Sequence, residues 1–336
     1  MNDKRILRRL ALCAALFLLP IASQASSRTV QLQASDPHTA RSLMLNAELY
    51  RPEGSGPFPA IVLMHGCGGW QPAVRDGLRT HAEFLRDSGF VVLNLDSFGP
   101  RQYGGGKLCS NNPALYRALS YRTSDAFDAM RYLAGQDFVA ADNIFLMGQS
   151  NGGAVAIRAA KESAPQRYGN GEAAFRGVVA YYPWCGELGR SRVSLSAPLL
   201  ILAGGRDNWV PASECQGVRG EGAPLEVKVY PNAAHSFDLR LPPQSFQGKL
   251  IGGDPAATLD SRDRMLRFLL GNLTQEQQLA RAARNGRNVA LANRGAGGSS
   301  AIERQARLER DQRVGDPAMR KIRLQEYRSA ETVQAA

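Results

Sequence analysis

The chain predicts an α/β fold, a mostly parallel, doubly wound sheet flanked by helices, on three observations. The apolar run at 60–64 is continuous, and 90–95 is apolar but for Asn94, rather than alternating, the pattern of strands buried on both faces. Between such runs lie segments with apolar residues at helical spacing, so that strands and helices alternate along the chain. Glycine-rich turns close several strands, among them His65-Gly66-Cys67-Gly68-Gly69 and Gly148-Gln149-Ser150-Asn151-Gly152-Gly153.

In chain order, Leu43, Leu45, Ala47 and Leu49 alternate with Met44, Asn46, Glu48 and Tyr50, which predicts a strand with one buried face. A Gly/Pro loop at 52–59 leads into the buried strand 60–64. Residues 75–88 carry Leu78, His81, Ala82 and Leu85 at helical spacing, and Gly89 stops them before strand 90–95. A long loop, 96–112, precedes a helix through Ala126, Met130 and Leu133. Strand 144–147 then breaks at Gly148 and resumes as an Ala-rich helix. Strands at 177–182, 198–203 and 225–230 and a helix at 256–270, with Met265, Phe268 and Leu269, complete one domain over residues 26–271.

The two ends differ from this body. Lys4, Arg5, Arg8 and Arg9 precede an apolar stretch from Leu10 to Leu19, and Ser23-Gln24-Ala25 sets small residues before a cut after Ala25. Residues 1–25 therefore read as a signal peptide, too short in its apolar part to span a bilayer, and the mature protein is expected in the periplasm or secreted. Residues 272–336 are rich in Ala, Arg, Gln and Glu with few large apolar side chains, and read as a basic extension, partly helical or disordered. Most of the net charge of +11 lies in these ends, leaving about +3 on the central domain. The extension's charge is too dilute to predict nucleic-acid binding. Export makes disulfides possible among Cys67, Cys109, Cys185 and Cys215, with three pairings open. Loops at the carboxyl edge of the sheet favour Cys67 with Cys109 and Cys185 with Cys215. No Cys/His spacing suits zinc, and no metal or organic cofactor is expected.

Gly148-Gln149-Ser150-Asn151-Gly152, between strand and helix, is the turn that exposes a nucleophilic serine. Such a serine needs a base and donors for the oxyanion that forms. Of the four histidines, His38 precedes the sheet, His65 shapes a turn and His81 sits on an apolar helix face; His235, in a small-residue loop after the last strand, is the expected base. Asp207, just past the penultimate strand, is the expected acid, giving the order Ser150, Asp207, His235. Glu187 and Asp238 are rivals whose ordinary reading is surface solvation. Backbone N–H groups of Asn151 and Cys67, with Gly66 as the second choice to Cys67, are expected to form the oxyanion hole.

VLMHGCGG, LDSFGPRQ, MGQSNGG, GGRDNWVP and AAHSFD, in that order over about residues 40–270, resemble the dienelactone hydrolase family of the α/β-hydrolase superfamily. The resemblance implies an α/β-hydrolase fold and cleavage of a small ester or lactone. Its best-known members carry a cysteine where this chain has Ser150. Family members hold a substrate carboxylate with two arginines, which implies Arg101 and, offset by one residue, Arg240. Tyr182, Trp184 and Trp209 follow strand ends and are expected to line the substrate pocket. A peptidase or carbohydrate esterase on the same three residues, and a non-catalytic, envelope-associated binding protein, are the competing readings.

Overall fold

The computed structural model describes residues 27–35, 43–169, 171, 174–189 and 191–295; the signal-peptide segment, His38 and the extension beyond 295 lie outside the described residues. The strands are β1 (Arg28–Ala34), β2 (Leu43–Tyr50), β3 (Phe58–Met64), β4 (Val91–Asp96), β5 (Val139–Gln149), β6 (Val178–Tyr181), β7 (Arg192–Ser194), β8 (Leu199–Gly204), β9 (Arg219–Glu221), β10 (Leu225–Tyr230), β11 (Gln244–Phe246) and β12 (Lys249–Ile251). The helices are α1 (Pro72–Asp87), α2 (Asn112–Ala134), α3 (Asn151–Ala160), α4 (Ala164–Tyr168), α5 (Pro255–Gly271) and α6 (Gln275–Gly295). One eight-stranded sheet runs β1-β2-β4-β3-β5-β6-β8-β10, antiparallel through β2 and parallel from β4 onward.

Every residue of β3 and β4 is buried, as the unbroken apolar run of β3 and the mainly apolar run of β4 predict. Period-two geometry divides β3 between two cores. Ala60, Val62 and Met64 join the layer that holds Phe127 and Val155, whereas Ile61 and Leu63 join the layer that holds Leu78 and Met265. Helices α2 and α3 thus cover one face, α1 and α5 the other, and the sheet is doubly wound. Strand β1 escapes sequence reading because it is an edge strand with only Leu32 and Ala34 buried.

Helix α6 follows α5 almost at once, and its first turns dock on the domain. The amide of buried Gln277 donates to Pro57 O (3.2 Å), and Arg281 donates to Ser88 O (2.5 Å). Among the described residues no helix is long and apolar enough to cross a membrane. Parallel wiring brings the ends of β3, β5, β6, β8 and β10 to one edge, and the residues that follow them meet there.

Candidate active site

Ser150 stands between β5 and α3 with φ 53° and ψ −115°. A side-chain-bearing residue in that conformation is strained by about 1–3 kcal/mol, so its surroundings must hold it. Ser150 N donates to Tyr181 O (2.9 Å), and its carbonyl accepts from Ala154 N (3.0 Å). The close packing needs Gly152, where a Cβ would strike the carbonyls of Met64 and His65. Gly66 packs closely as well, since a Cβ there would lie 3.2 Å from the Cβ of Ser150, which would have to give way slightly.

His235 Nε2 lies 3.0 Å from Ser150 Oγ, and His235 Nδ1 lies 2.6 Å from Asp207 Oδ2. The carboxylate draws the imidazole proton to Nδ1, which leaves Nε2 free to accept from the serine hydroxyl. Asp207 is itself fixed, its Oδ1 accepting from Trp209 N (2.8 Å) and Val210 N (3.0 Å). His235 is clamped through its backbone, which donates to Leu250 O (3.3 Å) and accepts from Gly252 N (3.1 Å) on either side of β12's last residue. Its ring packs between Tyr182 (4.8 Å between centroids) and Trp209 (5.1 Å).

Cys67 and Asn151 line, together with Ser150, a cavity of about 750 Å³. Trp184 and Trp209 line the same cavity, with Leu115 and Tyr116. A smaller cavity, about 230 Å³, also reaches Ser150; it shares Cys67, Cys109 and Trp209 with the larger one and is further lined by His235, Tyr182, Val74, Leu239 and Leu241. Cys67 is disulfide-bonded to Cys109, and Cys185 to Cys215, the two pairings that the loop positions favour.

Two sequence-predicted residues are not brought to the site. Arg101 is turned inward, its Nη1 and Nη2 donating to the Asp125 carboxylate (2.8 and 2.9 Å) and Nη1 also to Ser97 O (2.8 Å), so a buried internal acid takes the place of a substrate carboxylate. Burial raises the Asp125 carboxyl to about 6 in spite of that arginine. Arg240 is exposed and lines neither cavity at Ser150. The two rival acids are not solvated either. Glu187 is held by Arg158 (2.7 Å) and Lys161 (3.0 Å). Asp238 is fully enclosed and accepts from His81 (2.7 Å), Gln149 (2.6 Å) and Tyr182 (2.7 Å). Burial alone would raise the Asp238 carboxyl, but those three donors outweigh it and hold the group below its usual range. Burial pushes His81 down, so it serves as a neutral donor rather than as simple packing.

Arg122 escapes sequence reading altogether. Fully buried on α2, it donates to Asn151 Oδ1 (2.5 Å) and to His65 O (2.6 Å), tying the start of α3 to the loop that carries Cys67. Its guanidinium lies over the Phe98 ring (4.6 Å), and no carboxylate among the described residues is within ion-pair distance. Burial accordingly pushes it down to about 10. One signal was present: Arg122 shares a helix face with Ala118 and Ala126, an apolar stripe where a charge is out of place. Among the described residues no cluster of three or more His, Cys, Asp or Glu side chains is placed to hold a metal.

A serine on a strained strand-to-helix turn, at the carboxyl edge of a mostly parallel sheet covered by helices, defines an α/β-hydrolase. The model of the dienelactone hydrolase family matches residues 45–272, and the chain belongs to that family and so to the carboxylic ester hydrolases. It is similar to a Bradyrhizobium protein named "Probable 2-oxo-3-(5-oxofuran-2-ylidene)propanoate lactonase", 26% identical over 201 residues, or 57% of this chain and 78% of that one. Among solved structures it is similar to a dienelactone hydrolase-like promiscuous phosphotriesterase from metagenomic libraries, with 20% identity, 72% and 97% of the two chains covered and a TM-score of 0.52. Esterase 2 of Thermogutta terrifontis, in a form phosphoramylated by tabun, matches with 19% identity, 73% and 94% coverage and a TM-score of 0.50. These two likenesses speak to the fold.

Proposed function

We propose that the protein is an exported serine hydrolase that cleaves a small carboxylic ester or lactone through Ser150, His235 and Asp207. The observation that carries this reading is the unbroken hydrogen-bonded line from Asp207 through His235 to Ser150 Oγ, ending on a hydroxyl that two cavities reach. His235 takes the Ser150 proton as the oxygen attacks the ester carbonyl, and Asp207 stabilises the imidazolium that results. Backbone N–H groups of Cys67 and Asn151 receive the oxyanion; the Asn151 donor belongs to the first turn of α3, which has no helical acceptor for it. His235 then returns the proton to the leaving oxygen, and a water it activates releases the acyl group. The lactonase name of the Bradyrhizobium relative supports lactones as well as open esters.

The test is hydrolysis of p-nitrophenyl acetate and butyrate by the mature protein beside Ser150→Ala, with a fluorophosphonate probe on both. Turnover and labelling that vanish with Ser150 are expected; a folded wild type that neither turns over nor labels refutes the reading. Export is supported by residues 1–25 and by two disulfides, which persist in oxidising compartments. N-terminal sequencing of protein from the periplasmic fraction is expected to begin at Ser26, and an intact Met1 there would remove this part.

A further inference from the structure

The two cavities at Ser150 differ about threefold in volume, and only the smaller one is lined by His235. This asymmetry orients the substrate. In the tetrahedral intermediate the former carbonyl carbon carries four groups, and three of them have assigned places. One is Ser150 Oγ. The oxyanion lies on the Cys67 and Asn151 side. The leaving oxygen must come within hydrogen-bond reach of His235 Nε2, because that atom carries the proton it needs. The leaving group therefore extends into the cavity that His235 lines, between Val74 of α1 and Leu239 and Leu241 of the loop after His235. The fourth group, the acyl chain, has the remaining cavity, where Leu115, Tyr116, Ala154 and Trp184 share the wall with the polar side chains of Asn112, Glu214 and Lys249. Tyr116 and Trp184 meet edge to face at 6.0 Å and form a continuous aromatic wall there.

We propose that the enzyme is selective for esters of small alcohols with bulky acids: the small alcohol occupies the His235 cavity and the acid the larger cavity beneath Tyr116 and Trp184. This assignment rests on the hydrolase reading above. In chemical terms the C–O bond to the small alcohol breaks, the serine proton leaves with that alcohol, and the large acid stays on Ser150 Oγ until water displaces it. A lactone obeys the same rule, with its ring oxygen toward His235, so substituents are tolerated beside the carbonyl and not beside the ring oxygen.

Methyl 4-phenylbutanoate and 3-phenylpropyl acetate are isomers that carry the same bulk on opposite sides of the ester, and acid release from each is followed by pH-stat. A kcat/KM at least about tenfold higher for the methyl ester is expected, the scale of discrimination that an apolar pocket gives. Leu115→Trp is expected to lower that ratio and Leu241→Trp to raise it, each filling one cavity; the wild-type comparison stands without either variant. Equal or reversed preference, with fluorophosphonate labelling of Ser150 intact, overturns the orientation and leaves the hydrolase reading in place. Absence of both turnover and labelling overturns the hydrolase reading and this one with it.

Discussion

Arg122→Met separates two roles that a buried arginine can play. The substitution deletes a charged donor to His65 O, a buried carbonyl, and another to Asn151 Oδ1, which is half-buried. Hydrogen bonds from charged donors are each worth about 1.5–3 kcal/mol, so roughly 3–6 kcal/mol is lost. Against this, the guanidinium is enclosed without a carboxylate partner, and the depression to about 10 implies a burial cost of roughly 3 kcal/mol that methionine relieves. The two partly cancel, and unfolding free energy in urea is expected to fall by no more than about 3 kcal/mol. Activity has no such compensation. Without the tether, the Cys67 loop and the start of α3 lose their fixed spacing, and misplacing an oxyanion donor slows turnover by about 10²-fold. Turnover of p-nitrophenyl acetate is therefore expected to fall by roughly one to two orders of magnitude, with KM nearly unchanged. Arg122→Lys keeps the charge but not a fork that spans both acceptors, and is expected to recover little. A folded Arg122→Met that turns over within about threefold of wild type refutes the reasoning.

Other expectations follow from the same geometry. Asp207→Asn keeps the shape of the acid but leaves His235 with the wrong tautomer and no charge beside it, so turnover should fall by about 10⁴-fold at unchanged stability; single-turnover kinetics that show less than a tenfold loss would point to another acid. Paired Cys67→Ser and Cys109→Ser replacements open a link across 42 residues and should cost up to about 4 kcal/mol and much of the turnover, since Cys67 carries an expected oxyanion donor. Opening Cys185–Cys215, which spans 30 residues, should lower the melting temperature and leave turnover less affected. Glu48 supplies a pH signature: burial would raise it, but donors from Arg79, Arg75 and Asn94 prevail and bring it from 4.5 to about 2. A carboxyl lowered in the folded state stabilises above its unfolded value and loses that contribution as pH falls through the folded one. Because the two arginines are partly exposed, about 2 kcal/mol is expected to vanish between pH 5 and 2, and Glu48→Gln should flatten that part of the urea-measured profile.

Period and turn chemistry made the central sheet and Ser150 legible. Strands buried on both faces cannot alternate, and a serine two residues from glycines on either side, between strand and helix, has few other uses. His235 was readable largely by elimination among four histidines. Charge pairing was not readable, because partners lie far apart in the chain. Arg101 meets Asp125 from another element, and His81 meets Asp238 across 157 residues, so a carboxylate read as solvated is enclosed and an arginine read as substrate-facing is turned inward. What the chain did carry was a contradiction of its own pattern. His81 on α1 lies among Leu78, Ala82 and Leu85, and Arg122 on α2 lies one turn from Ala118 and Ala126, where an unpaired polar group is costly. Both serve the turn around Ser150. His81 holds Asp238, which in turn holds Gln149 before the serine and Tyr182 beside His235, while Arg122 holds Asn151 after it. Polar groups on apolar faces thus marked the residues that support the site, although only the fold showed what they support.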